Sequence, residues 1–161
     1  MKHSVLLDTS FLIRLLNDSD PLHENAKGYF KYFLEEGITL KLSTISIAEY
    51  CVKGKIEELP MRNLQIIPFN ADDAVATGKF AEVIFKENHI SAEKLIPRAI
   101  IPNDAKLFAQ ADRDKTVTHF VTSDQRSNKT LEALKKHLKP KFKILDISTP
   151  YNQVFGILDL K

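Results

Sequence analysis

Four acidic residues, Asp8, Glu49, Asp104 and Asp124, stand where an α/β chain places its chemistry. Asp8 ends the apolar run Val5-Leu6-Leu7, and Asp124 closes the run from Thr118 to Thr122. Each carboxylate therefore falls at the C-terminal end of an expected buried strand, on the rim where open parallel sheets hold their ligands. Asp104 opens a helix just behind Pro102, where unpaired amides and the helix dipole favour an ionised carboxylate. Glu49 lies in a short helix among Ile45, Ile47, Ala48, Tyr50 and Val52, either snorkelling outward or held inward. Plainer readings exist, with Asp8 and Asp104 as simple helix caps. Together the four have another meaning: like charges converging on a cleft repel, and a divalent cation removes that cost. Such an ion also polarises a phosphoryl oxygen and activates water. Oxygen ligands suit Mg²⁺ or Mn²⁺, whereas zinc wants His or Cys, and the histidines at 3, 23, 89, 119 and 137 show no ligand spacing. Spacing leaves Asp72, Asp112, Asp114 and Asp146 as rival members. On the residues alone, metal-dependent phosphoryl chemistry stands level with four unrelated acids.

The elements that must position these acids alternate. Val5–Leu7 reads as a strand, and Thr9 or Ser10 caps a helix bearing Phe11, Leu12, Leu15 and Leu16. Asp20-Pro21 opens a second helix, Asp as cap and Pro at the first helical position, and Gly37 stops it. Residues 39–43 form a strand, 45–53 a helix and 64–67 a third strand. Asn70 or Asp72 caps a long helix reaching about Asn88. Residues 89–101 are apolar but irregular and read as a partly ordered connection. A helix begins at Pro102-Asn103-Asp104, a strand spans 118–122, a helix 127–137 and a fifth strand 142–147. Thr149-Pro150 starts a last short helix. This alternation specifies an α/β fold with a mainly parallel sheet.

The 161 residues, 43% hydrophobic and 27% charged, suit one soluble domain with a real core. No apolar run is long enough to span a bilayer, and the N-terminus does not read as a signal peptide. A single cysteine rules out an internal disulfide and suggests a cytoplasmic setting. Cys51 itself reads as a small buried hydrophobe. The net charge of +2 makes no case for nucleic acid, but Lys129, Lys135, Lys136, Lys139, Lys141 and Lys143 face only Glu132 in their segment. That segment is either a phosphate-binding face or a solvated helix flank.

The pieces LLDTSFLIRLL, STISIAEY, IPNDAKLFAQA and FVTSD, in this order, resemble a PIN-domain ribonuclease, and VapC-type toxins of toxin–antitoxin pairs in particular. The resemblance implies a single-domain three-layer sandwich whose five-stranded, mainly parallel sheet has the order 3-2-1-4-5. It implies a nuclease domain over 1–148, with 149–161 as a C-terminal extension packed on it. It makes Asp8, Glu49, Asp104 and Asp124 both the catalytic acids and the ligands of Mg²⁺ or Mn²⁺, with Thr122 as a supporting hydroxyl. Ser10 stands where the family commonly has Asn or an acid, so the hydrogen bonding beside Asp8 differs. The implied activity is endoribonuclease cleavage by metal-activated water, leaving 5′-phosphate and 3′-hydroxyl ends. Implied partners are RNA, a cognate antitoxin and a second copy of the chain. A dimer also follows from the apolar residues Phe11, Leu15, Phe30 and Phe33 on the first two helices. Candidate RNA contacts are Arg14, Lys106, Arg126, Lys135 and Lys136. Two alternatives remain: a PIN fold without catalysis serving as an RNA-binding or assembly module, and a small-molecule phosphohydrolase. The latter lacks the Asp-x-Asp pattern, since Ser10 follows Asp8 by two.

Overall fold

The computed structural model describes residues 3–88 and 101–156. Five parallel strands, β1 (Ser4–Leu7), β2 (Thr39–Ser43), β3 (Leu64–Ile67), β4 (Val117–Thr122) and β5 (Lys143–Asp146), form one sheet in the order β3-β2-β1-β4-β5. Helices α1 (Thr9–Leu15), α2 (His23–Glu35) and α3 (Thr44–Tyr50) occupy the first half of the chain. Helices α4 (Ala71–Glu87), α5 (Asn103–Arg113), α6 (Gln125–Lys135) and α7 (Tyr151–Val154) follow.

Strand β1 explains the layering. Successive side chains of a strand point to opposite faces. Val5 and Leu7 pack with Phe11, Leu12, Ala26, Tyr29 and Phe33 of α1 and α2, while Leu6 packs with Phe80, Phe108, Phe120 and Leu134 on the side of α4, α5 and α6. Both faces are covered, so the run is apolar throughout, as a central parallel strand must be. The chain builds outward from β1 to β3, then returns to lay β4 against the other edge of β1. The sheet order therefore reverses between β1 and β4, the point where such sheets open a crevice at the strands' C-terminal ends.

Several boundaries differ from the sequence expectation. Helix α2 starts at His23, not at Pro21, because the Asp20 carboxylate accepts the Leu22 amide at 2.8 Å and pairs with Arg14 instead of capping a helix. Gly37 does end that helix region, with φ +64°. Helix α3 stops at Tyr50, and the turn behind it exposes Cys51, contrary to the expected buried position. Helix α6 begins two residues early, because Asp124 is itself the cap, accepting the Arg126 amide at 2.9 Å. Asn70, not Asp72, caps α4 through reciprocal bonds with Asp73. The connection 89–101 lies, apart from Ile101, outside the described residues, as does the tail beyond Gly156.

Phe11 and Phe33 are fully buried inside the chain, and Leu15 and Phe30 are partly covered. Phe11 and Phe33 therefore serve the core, and only Leu15 and Phe30 of the four keep part of their surface open. The exposed apolar side chains of this region are Ile13, Leu16 and Leu34. At the C-terminal end, α7 lies on α2. Tyr29 donates its hydroxyl to the Thr149 carbonyl at 2.7 Å, Asn25 donates to the Ile147 carbonyl at 2.8 Å, and Tyr32 stacks on Phe155 with centroids 4.4 Å apart.

Candidate active site

The rim at the β1–β4 switch point brings the acids together. Asp8 follows β1 directly, and its backbone amide continues the ladder to the Val121 carbonyl at 2.9 Å. Its carboxylate, only 7% exposed, therefore stands beside Thr122. Two hydroxyls converge on its Oδ2: Ser10 donates at 2.6 Å and Thr122 at 2.8 Å. Burial still wins over these bonds and raises the Asp8 pKa, with the Glu49 charge adding to the rise.

The same hydroxyls hold the adjoining loop. Ser10 Oγ accepts the Ser123 amide and Thr122 Oγ1 accepts the Asp124 amide, both at 3.0 Å. Thr122 thus ties the first and last acids into one rigid unit, while Ser10 takes part in the site instead of capping α1. Asp8 occupies the cap position of α1 without a side-chain cap bond.

Glu49, at the end of α3, points inward. Thr9 Oγ1 donates to its Oε2 and Asn103 Nδ2 to its Oε1, and Lys106 Nζ in turn donates to Asn103 Oδ1 at 3.0 Å. Sequence reasoning did not single out Thr9 and Asn103, the two side chains that hold Glu49. Each directly precedes or follows an acid of the set, which was the available signal.

Asp104 lies in the first turn of α5 and has no side-chain hydrogen bond among the described residues. Burial pushes its carboxyl up to about 6, aided by the charges of Asp8, Asp124 and Glu49 and opposed by Arg126. One half-buried carboxyl that senses all three others places the four in a common electrostatic neighbourhood. Asp124 behaves oppositely: the Arg126 guanidinium lowers its pKa, with the Arg126 amide adding to the effect. Asp104, Asp124, Asn103, Arg126 and Thr130 line a cleft of about 330 Å³.

The chain belongs to the PIN-domain family. The PIN domain model matches residues 5–133, from β1 through most of α6. Among solved structures, VapBC2 from Rickettsia felis bound to a promoter DNA fragment matches with TM-score 0.58 at 19% identity, covering 88% of this chain and 97% of that one. DNA-bound VapBC from Salmonella typhimurium matches with TM-score 0.55 at 15% identity, covering 90% of this chain and 98% of that one. At such identities the likeness concerns the fold, whose strand order 3-2-1-4-5 is the one expected. No curated protein matches the sequence.

Within this PIN domain, the donor set suits a hard divalent cation in kind: carboxylate oxygens, with no thiol or imidazole in the cleft. Among the described residues, no three histidine, cysteine or acidic side chains are grouped closely enough to hold a metal ion between them. That is compatible with Mg²⁺, which keeps several waters and uses one or two carboxylates. The candidate RNA contacts are placed unevenly. Arg14 pairs with the nearly buried Asp20 carboxylate and also reaches Ser123 Oγ at 3.4 Å. Lys106 is engaged with Asn103. Lys135 pairs with Glu132, and Lys136 with Glu87 across to α4, each at 2.8 Å. No described helix is long and apolar enough to cross a membrane.

Proposed function

We propose that this PIN domain is a Mg²⁺- or Mn²⁺-dependent endoribonuclease of the VapC toxin type. The observation that carries the reading is the placement of the acids: Asp8 buried at the end of β1 under the Ser10 and Thr122 hydroxyls, Glu49 turned inward by Thr9 and Asn103, and Asp104 and Asp124 lining one cleft. Holding four acids at this rim without a cation is unfavourable, and a phosphodiester hydrolase has a use for them. When bound, the divalent ion supplies charge neutralisation at the scissile phosphate and a more acidic water. The chain's own residues do the rest. Asp8, fixed by Ser10 and Thr122, and Asp104, on the first turn of α5, would hold the ion directly or through waters, with Asp124 alongside. Glu49, with one oxygen held by Thr9 and the other by Asn103, orients the attacking water and can take its proton. No nucleophilic side chain is required, so positioning and electrostatics supply the rate. The leaving oxygen becomes a 3′-hydroxyl and the phosphate stays on the 5′ side of the downstream fragment.

An antitoxin partner is supported by the fold's likeness to VapBC structures and by an open groove of about 770 Å³. Ile13, Leu16, Tyr50 and Val52 line it together with Glu49, so an occupant there would adjoin the acids. A second copy of the chain is the other candidate for these exposed apolar residues.

Incubation of the purified protein with single-stranded RNA in Mg²⁺, Mn²⁺ or EDTA tests the activity. Fragments with 5′-phosphate ends should form only with metal and disappear in Asp8→Asn and Asp104→Asn. Equal cleavage in EDTA, or in either variant, refutes the reading. The alternative, a PIN fold that binds RNA without cutting it, is favoured by one observation, the clasp of Arg126 on Asp124.

A further inference from the structure

Arg126 holds both oxygens of Asp124. Its backbone amide and Nε reach Oδ1 at 2.9 and 3.2 Å, and its Nε and Nη2 reach Oδ2 at 3.1 and 2.8 Å. The amide is fixed by the start of α6 and stays with Oδ1. Oδ2 is held by the guanidinium alone, so withdrawal of one side chain frees it. Among the described residues the guanidinium has no other hydrogen-bond or ion-pair partner, although the Asp104 charge also acts on it, and the side chain is 85% exposed. An ion pair so open to water is worth little and is easily exchanged.

Resting on the nuclease reading above, we propose that Arg126 is an exchangeable counter-cation, which closes Asp124 in the resting protein, yields the carboxylate to the divalent ion and then holds the RNA phosphate. Two cations cannot share Oδ2, so the guanidinium and the ion compete for it. The released guanidinium remains tethered at the mouth of the cleft that Asp104 and Asp124 line. Its planar fork fits phosphate as it fits carboxylate. The need is electrostatic: a cleft lined by Asp104 and Asp124, with Asp8 and Glu49 acting on it from nearby, repels an RNA phosphate until a cation faces it. The other candidate contacts are tied to partners outside the four acids, Arg14 to Asp20, Lys106 to the Asn103 side-chain oxygen, Lys135 to Glu132 and Lys136 to Glu87. Only Arg126 among them is paired with an acid of the site itself, so only its release is linked to filling that site. RNA affinity and metal loading thereby become coupled through one residue.

Calorimetric titration with Mn²⁺, in the absence of RNA, reads the first half of this exchange. Arg126→Ala should bind Mn²⁺ about two- to fivefold more tightly than wild type, the gain expected from removing an exposed competitor. The second half is read by binding of a single-stranded RNA oligonucleotide, with both proteins carrying Glu49→Gln so that the RNA stays intact. With Mn²⁺ present, Arg126→Ala should weaken RNA binding at least about threefold and reduce the salt slope by about 0.7. In EDTA the same substitution should change RNA binding little, since the guanidinium is then occupied. Equal or weaker Mn²⁺ affinity in Arg126→Ala means that Arg126 merely steadies Asp124, and overturns the exchange. So does an RNA effect of the same size with and without metal. A wild type that binds no Mn²⁺ would instead overturn the metal-site reading beneath it.

Discussion

Asp104→Asn separates the cost of the acidic rim from its use. Burial and three neighbouring carboxylates move this group from its ordinary 3.8 to about 6. At 1.36 kcal/mol per tenfold, the difference corresponds to about 3 kcal/mol of folding free energy lost at neutral pH. The sign follows from proton linkage. Because the folded protein binds this proton more tightly than the unfolded chain, stability from this group is fully present below about pH 3.8. It is lost as pH rises through about 6. An asparagine keeps the shape and removes the charge. In chelator at pH 7.5, Asp104→Asn should therefore be more stable than wild type by roughly 1 to 3 kcal/mol, the upper value assuming no penalty for burying the amide. For a chain of this size that is a rise of roughly 3 to 10 °C in melting temperature. At pH 4 the advantage should shrink below about 1 kcal/mol, since the folded wild type is then protonated. Added Mg²⁺ should reverse the order, stabilising wild type by mass action and the variant much less. Differential scanning calorimetry at the two pH values, with and without Mg²⁺, measures all three effects. A variant less stable than wild type at pH 7.5 in chelator, or an advantage unchanged at pH 4, would refute the assignment of strain to the Asp104 charge.

Asn103→Ala should leave Glu49 with one donor, lowering the single-turnover cleavage rate about tenfold while RNA affinity changes little; an unchanged rate would show that Asn103 does not position Glu49. Gly28→Ala should destabilise, although alanine normally gains about 1 kcal/mol over glycine in a helix. A Cβ there would stand 2.7 Å from Cδ1 of Tyr151, so α7 must shift, and adding Tyr151→Ala should restore the ordinary gain in thermal melts. Lys41→Met should cost about 3 kcal/mol at pH 7, because Lys41 is buried in β2 with its amine bonded to Asp114 and Thr116. Burial raises the Asp114 pKa, but the bonds from Lys41 and Thr116 outweigh it and hold the carboxyl below its ordinary value. The stability from that pair is present above the usual carboxylate range and is lost as pH falls below that range through the lowered pKa, so urea titrations should show the gap between variant and wild type narrowing on acidification below it.

The strands themselves and the place of two of the four acids at strand ends were legible because their signals are local; the strand order came only from the family resemblance. A run such as Val5-Leu6-Leu7 is apolar at every position only if both faces are covered, which already demands a central parallel strand between helical layers. An acid that ends such a run, as Asp8 and Asp124 do, must lie on the ligand-bearing rim whatever the details of packing. Glu49 was undecided, since residues of a short helix end can face either way at similar cost. Its inward pose depends on Thr9 and Asn103, 40 and 54 residues distant. The start of α2 escaped for a related reason: Asp20 has the right type for a cap, but Arg14 one helix earlier claims it. Cys51 has apolar neighbours in sequence, yet α3 ends before it and the turn faces water. The pairing of Arg126 with Asp124 spans only two residues, but it arises because Asp124 itself starts α6 and so turns the arginine back onto its own cap. Sequence alone determined which residues end strands and which faces are buried, because hydrophobic period and chain direction are local properties. Only the tertiary structure decided which side chains hold Glu49 and which cation closes Asp124, because those choices are made by partners that folding brings within hydrogen-bond reach.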